Sequence, residues 1–80
     1  MKVLLYGKLA ELLGREIEVA TPPGATVGDV RHLLQDRSKA ALAALGRADV
    51  MGCIDDQIVG DAEIVPKGKE LAFLPILSGG

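Results

Sequence analysis

At 80 residues the chain makes one domain near the lower end of what folds unaided, since a chain this size hides only about 60% of the surface its extended form exposes. Its 49% hydrophobic and 25% charged residues exclude disorder, while a net charge of -2, scattered Lys and Arg, and only Tyr6 and Phe73 as aromatics argue against nucleic acid as a partner. The single cysteine, Cys53, excludes an internal disulfide and a cysteine-built metal site, and it fits a reducing cytoplasm.

The opening MKVLLYGKLAELLG begins like a signal peptide, but Lys8 and Glu11 interrupt its apolar run and no small-residue cleavage site follows. No apolar run approaches the roughly 20 residues a membrane helix needs. The expectation is a cytoplasmic protein with no membrane partner.

KVLLYG (Lys2 to Gly7) reads as a first strand ending in a breaker, and EIEVA (Glu16 to Ala20) alternates with period two as a second. Between them KLAELLG places Leu9, Leu12 and Leu13 at helical spacing before Gly14, which predicts a turn or two of helix, with a wide hairpin loop as the alternative. TPPGATVGDVRHLLQDRS carries the main helix. Thr26 caps it and Asp29 completes a capping box; Val27, Val30, Leu33 and Leu34 fall on one arc, with Gly28, Asp29 and His32 facing away. KAALAALG (Lys39 to Gly46) predicts a shorter accessory helix with a glycine cap.

VMGCI and QIV are short extended runs split by Asp55 and Asp56, acceptable hairpin residues. EIVPKGKE holds a turn at Pro66 and Gly68, and ELAFLPIL is the last strand. Pro75 has no N–H to donate, so pairing fails there or that side of the strand is unpaired. The order predicts an α+β fold: a mixed sheet of four to five strands packed on one main helix plus a short accessory helix.

Convergent titratable groups are scarce. His32 falls on the solvent face of its helix. Cys53 is either a nucleophile or a buried small apolar strand residue, and no histidine stands near it in sequence to favour the first. Asp55 and Asp56 suit a turn better than a cation site, and neither a nucleotide-binding glycine motif nor zinc spacing is present.

What remains is the end, ILSGG. A frayed terminus is the plain reading of Gly79-Gly80. Read functionally, two residues without Cβ form a thread only as wide as the backbone, able to enter a narrow channel. From Pro75 the tail can reach up to about 17 Å at roughly 3.4 Å per residue. An α-carboxylate, with a pKa of about 3.5, is ionised at neutral pH and a poor electrophile, so it needs activation, for instance as an acyl-adenylate.

KVLLYGKLAELLG at the front, the capped helix, and KGKELAFLPILSGG at the end resemble the small subunit of molybdopterin synthase, a ubiquitin-like sulfur carrier with the β-grasp fold. The most specific part is the Gly-x-Glu-Leu-Ala-Phe run closing in Pro-x-x-Ser-Gly-Gly. Thiamine sulfur carriers share the Gly-Gly end, whereas the Phe73-Leu74-Pro75 approach favours the molybdopterin branch; Ile76 stands where that family often has a second proline. The resemblance implies a single domain over residues 1–80 with an extended tail over 75–80. It implies no bound cofactor, but an acyl-adenylate and then a thiocarboxylate at Gly80. The implied partners are an E1-like adenylyltransferase and the molybdopterin synthase large subunit, where sulfur passes to cyclic pyranopterin monophosphate. The small subunit is then not catalytic alone: Gly80 carries the reacting group, while Pro75, Ser78 and Gly79 thread into the partner. Carriers for thiamine, cysteine or tRNA thiolation, and a ubiquitin-like modifier or adaptor, are the alternatives.

The same resemblance places an apolar partner-binding patch at Tyr6, Ile58 and Leu74. Strand parity agrees for two of these. Leu4 and Tyr6 share one face, as do Ala72 and Leu74, whereas Val3, Leu5, Leu71 and Phe73 face the helix. With both parities apolar and one helix layer, the spare face needs cover, from a partner or from the accessory helix or a loop.

Overall fold

Val3 and Leu5 of β1 (Lys2–Leu5), with Leu71 and Phe73 of β5 (Leu71–Pro75), are buried on one face of a sheet, whereas Leu4, Ala72 and Leu74 between them are half-buried on the other. This alternation organises the whole computed structural model, which describes residues 1–76. The remaining elements are α1 (Lys8–Leu13), β2 (Glu16–Glu18), α2 (Val27–Gln35), α3 (Lys39–Leu45), β3 (Val50–Ile54) and β4 (Gln57–Val59). The sheet order is β2-β1-β5-β3-β4. β1 and β5 run parallel at its centre, and every other pairing is antiparallel. A parallel pair cannot be joined by a tight turn, and the chain between these two strands carries the helical layer.

α2 forms where its capping box predicts. The Asp29 N–H donates to Thr26 Oγ1 at 3.1 Å and the Thr26 N–H donates to Asp29 Oδ2 at 2.9 Å, satisfying donors that a helix start leaves without partners. Val27, Val30 and Leu34 are wholly buried against the sheet, each contributing about 1.5–3 kcal/mol as an upper estimate. Leu33 departs from the expected arc and is 41% exposed. At about 100° per residue it lies some 120° from Val27, whereas Arg31 lies only about 40° away on the other side. Arg31 therefore takes the half-buried place assigned to Leu33.

α1 is the short helix between the first two strands, stopped by Gly14 at φ 97°, a left-handed conformation that glycine adopts without strain. α3 follows a Ser38 cap and buries Ala41 and Leu45; its closing Gly46 has an ordinary φ of -83°, so no left-handed glycine cap forms there.

β3 lies against α2 at Gly52, where a Cβ would stand 2.6 Å from Val27 Cγ1. The β3–β4 turn places both Asp55 (φ 52°) and Asp56 (φ 65°) in left-handed conformations, as a two-residue hairpin of this hand requires.

β5 runs through Pro75, which pairs with Val50. The next N–H, of Ile76, donates to Asp49 O at 2.6 Å, so alternation turns the proton-less nitrogen of Pro75 toward the β1 side. β1 has ended at Leu5 by then, and no ladder bond is lost. The unpaired-side expectation for Pro75 is the one realised.

Candidate docking face and tail root

Register on the outer face brings the expected patch together. Leu4 opposes Ala72, Ala72 opposes Cys53, and Cys53 opposes Ile58, making one apolar row across four strands. One step along, Met51 opposes Leu74, and Tyr6 follows Leu5, whose partner Phe73 precedes Leu74, which sets Tyr6 beside Leu74. Tyr6 is 51% and Ile58 50% exposed, with Leu74 half-buried between the strands. The three helices do not cover these side chains: α1, α2 and α3 contribute their buried residues to the other face, and the loop at Gly68 and Lys69 only borders the concavity that Tyr6 and Leu74 line.

The patch runs up to the place where the chain leaves the sheet. Pro75 Cγ lies 3.8 Å from where a Gly7 Cβ would stand, and Pro75 also lines an apolar groove between α1 and α3 floored by Leu9, Leu12, Ala43 and Val50. The tail root thus sits between two apolar surfaces. Ser78, Gly79 and Gly80 lie outside the described residues.

Cys53 is a free thiol on the outer face, half-buried in the patch rather than in the core. Its alternation with Gly52 and Ile54, which are buried, puts it there. His32 is exposed on α2, as its helical phase predicts. Among the described residues, no three His, Cys, Asp or Glu side chains converge to hold a metal. No helix there is long and apolar enough to cross a membrane.

The titratable groups with displaced pKa values are surface pairs. Asp29 is lowered, chiefly by the Thr26 N–H and then by its hydroxyl; Asp49 is lowered by hydrogen bonding to Arg47, 3.0 Å away. Lys2 is raised by its hydrogen bond to Glu16, at 2.9 Å on the edge of the patch. None of these describes a poised acid or base in a cleft.

The sequence reading missed Arg31. Its side chain is 12% exposed and donates to Leu45 O at 2.6 Å, to Val50 O at 3.0 Å and to Asp61 Oδ1 at 3.0 Å, with its guanidinium 5.2 Å from the Phe73 ring centre. One residue therefore ties α2 to the end of α3, to the start of β3 and to the loop after β4. It holds the strand that carries Met51 and Cys53, and so positions the face without lying on it.

A mixed five-stranded sheet of this order with helices on one side is the β-grasp fold of ubiquitin-like sulfur carriers and modifiers. The ThiS family model matches residues 3–80, and the chain belongs to that family. Among solved structures, SAMP1 from Haloferax volcanii is 28% identical with a TM-score of 0.76, over 99% of this chain and 97% of the other. The H. volcanii small archaeal modifier protein 1 is 25% identical with a TM-score of 0.69, over 95% of each chain. A putative molybdopterin converting factor, subunit 1, from Pyrococcus furiosus shares the fold, with a TM-score of 0.79 at 22% identity over 95% of each chain. No curated protein matches the chain.

Proposed function

We propose that the chain is a sulfur carrier whose reacting group is the terminal carboxyl of Gly80, acting as the small subunit of molybdopterin synthase. The carrying observation is the uncovered apolar face that ends at the root of the tail, on a body whose described residues bring no three His, Cys, Asp or Glu side chains together. Such a body is a handle for partners. A carboxylate oxygen of Gly80 attacks the α-phosphorus of ATP in an E1-like adenylyltransferase and releases pyrophosphate. A sulfur nucleophile then displaces AMP from the acyl-adenylate and leaves a thiocarboxylate. The large subunit receives the loaded tail, and the sulfur passes to cyclic pyranopterin monophosphate. The Phe73-Leu74-Pro75 approach supports this acceptor over the thiamine precursor.

A second reading, a ubiquitin-like modifier joined to lysines through Gly80, is favoured by the likeness to the H. volcanii small archaeal modifier protein 1, seen in two solved structures. Reconstitution separates the two. With the E1-like enzyme, ATP, a sulfur source and the synthase large subunit, molybdopterin forms from cyclic pyranopterin monophosphate under the first reading. Lysine-linked adducts of this chain in cell extracts, without molybdopterin in the reconstituted mixture, refute it in favour of the second.

A further inference from the structure

We propose that the E1-like adenylyltransferase docks on this face and presents, beside its apolar centre, lysine or arginine side chains that meet a row of carboxylates at the end of the face remote from the tail. This rests on the docking reading above and adds the chemistry of the partner.

The register defines that row. Glu18 opposes Lys2, and Lys2 and Glu70 precede the paired Val3 and Leu71. Asp55 lies two residues past Cys53, the partner of Ala72, and so comes level with Glu70. The row stands four residues from Tyr6 and Leu74, or about 14 Å at roughly 3.4 Å per residue. Asp55, Asp56 and Glu70 share one concavity with Leu4, Cys53, Ala72 and Leu74, so acidic and apolar groups are parts of a single surface.

Three cations near the row are engaged, while Lys67, which shares a groove with Glu18 and Glu70, has no ion pair among the described residues. Lys2 pairs with Glu16 at 2.9 Å, Lys69 with Asp55 at 3.0 Å, and the N-terminal ammonium with Glu18 at 3.4 Å. Among the described residues, Asp56 and Glu70 have no ion pair either; the five carboxylates Glu16, Glu18, Asp55, Asp56 and Glu70 stand against four cations, Lys67 included, so the row keeps an excess of one negative charge. Protection of an open sheet edge accounts for Glu16 and Glu18 on β2, but not for Glu70, the residue just before central β5. Nor does turn geometry ask for charge at Asp55 and Asp56, whose positive φ values Asn-Gly meets with less strain. The carboxylates are thus additional to what the fold needs, and they adjoin a large apolar area of the sheet that lacks cover among the described residues. Such an arrangement steers a basic partner and fixes its orientation, with the apolar centre supplying the adhesion.

The test measures association of the full chain with the E1-like adenylyltransferase of the same organism by stopped flow, across ionic strength. Glu70→Lys with Asp56→Asn alters the face; Asp36→Lys with Glu63→Gln makes the same change in net charge at exposed positions beside the two ends of α2, on the helical side. The face variant is expected to associate about tenfold more slowly at low salt and to converge with the parent at high salt, where charges are screened. The helical-side variant stays within about twofold of the parent. Equal rates for both variants, or a parent rate that does not fall with salt, overturn the proposal. If the parent still gains sulfur when those rates are equal, only the charge reading fails; if the parent neither binds nor loads, the sulfur-carrier reading fails with it.

Discussion

Gly52→Ala tests how closely α2 is seated on the sheet. The added Cβ would stand 2.6 Å from Val27 Cγ1 and 3.6 Å from Leu71 Cδ1. Carbon pairs settle near 3.5–4.0 Å, so helix and strand must separate by about 1 Å at the contact with Val27. Val27 and Leu71 are wholly buried, and neither has an empty side to move into. Overpacking of this kind costs about 1–3 kcal/mol, offset by roughly 0.4–1 kcal/mol because alanine restricts the unfolded chain. The net loss, about 1–2 kcal/mol, lowers Tm by roughly 5–15 °C for a domain this small. Thermal melting followed by circular dichroism, with urea unfolding to check that the slope is unchanged, reads it. Val27→Ala on the Gly52→Ala background should recover part of the loss, with a coupling of about 0.5–3 kcal/mol in a double-mutant cycle. A Gly52→Ala protein as stable as the parent, or additive losses in the cycle, refutes the close-approach argument.

Arg31→Met keeps most of the side-chain volume but leaves Leu45 O and Val50 O without their donor. It should lower the urea-derived stability by about 2–4 kcal/mol, with Arg31→Lys in between; little of this comes from the exposed Asp61 pair. Because the native state depresses the Asp29 pKa, its contribution is present above the ordinary value of 3.8 and is lost as the pH falls through the lowered native value. The urea midpoint should therefore fall in acid, and Asp29→Asn should lower it at neutral pH while flattening the acid limb; an unchanged acid limb contradicts the capping account. Gly79→Val should leave the melting curve unaltered and reduce sulfur transfer to background in the reconstituted assay, whereas normal turnover argues against a narrow channel for the tail.

Much of the architecture was legible because it rests on local rules. Thr26 and Asp29 announce α2 by a reciprocal hydrogen bond, and the parity of Val3 and Leu5 against Leu4 separates the two faces of β1 before any partner strand is known. The strand order was not legible, because the parallel pairing of β1 with β5 joins opposite ends of the chain. The error at Leu33 came from choosing the most hydrophobic arc, when the arc that packs is centred near Val27 and admits an arginine. That arginine is tolerated because its head finds two backbone carbonyls and Asp61 while its stem lies in the helical layer. Cys53, expected as a buried strand residue, is instead half-buried on the outer face, because Gly52 sets the phase of β3. A glycine inside a strand marks a close backbone approach, and this signal could have been used to predict both the Val27 contact and the outward direction of Cys53.

In the candidate site, all three patch residues came from the family resemblance; strand parity agreed for Tyr6 and Leu74, whereas Ile58 needed the pairing of β4 with β3 to reach the same face. The carboxylate row depended entirely on register: Glu18, Asp55 and Glu70 are scattered in sequence and become neighbours only through three separate strand pairings.

The central claim, exchange of an oxygen for sulfur at Gly80, is tested most directly by the intact mass of the purified chain. Incubation with the E1-like adenylyltransferase, ATP and a sulfur donor should add about 16 Da, confined to the C-terminal peptide and absent when Gly80 is deleted. A mass that stays unchanged while the enzyme demonstrably forms the adenylate, or a gain located at Cys53, contradicts it.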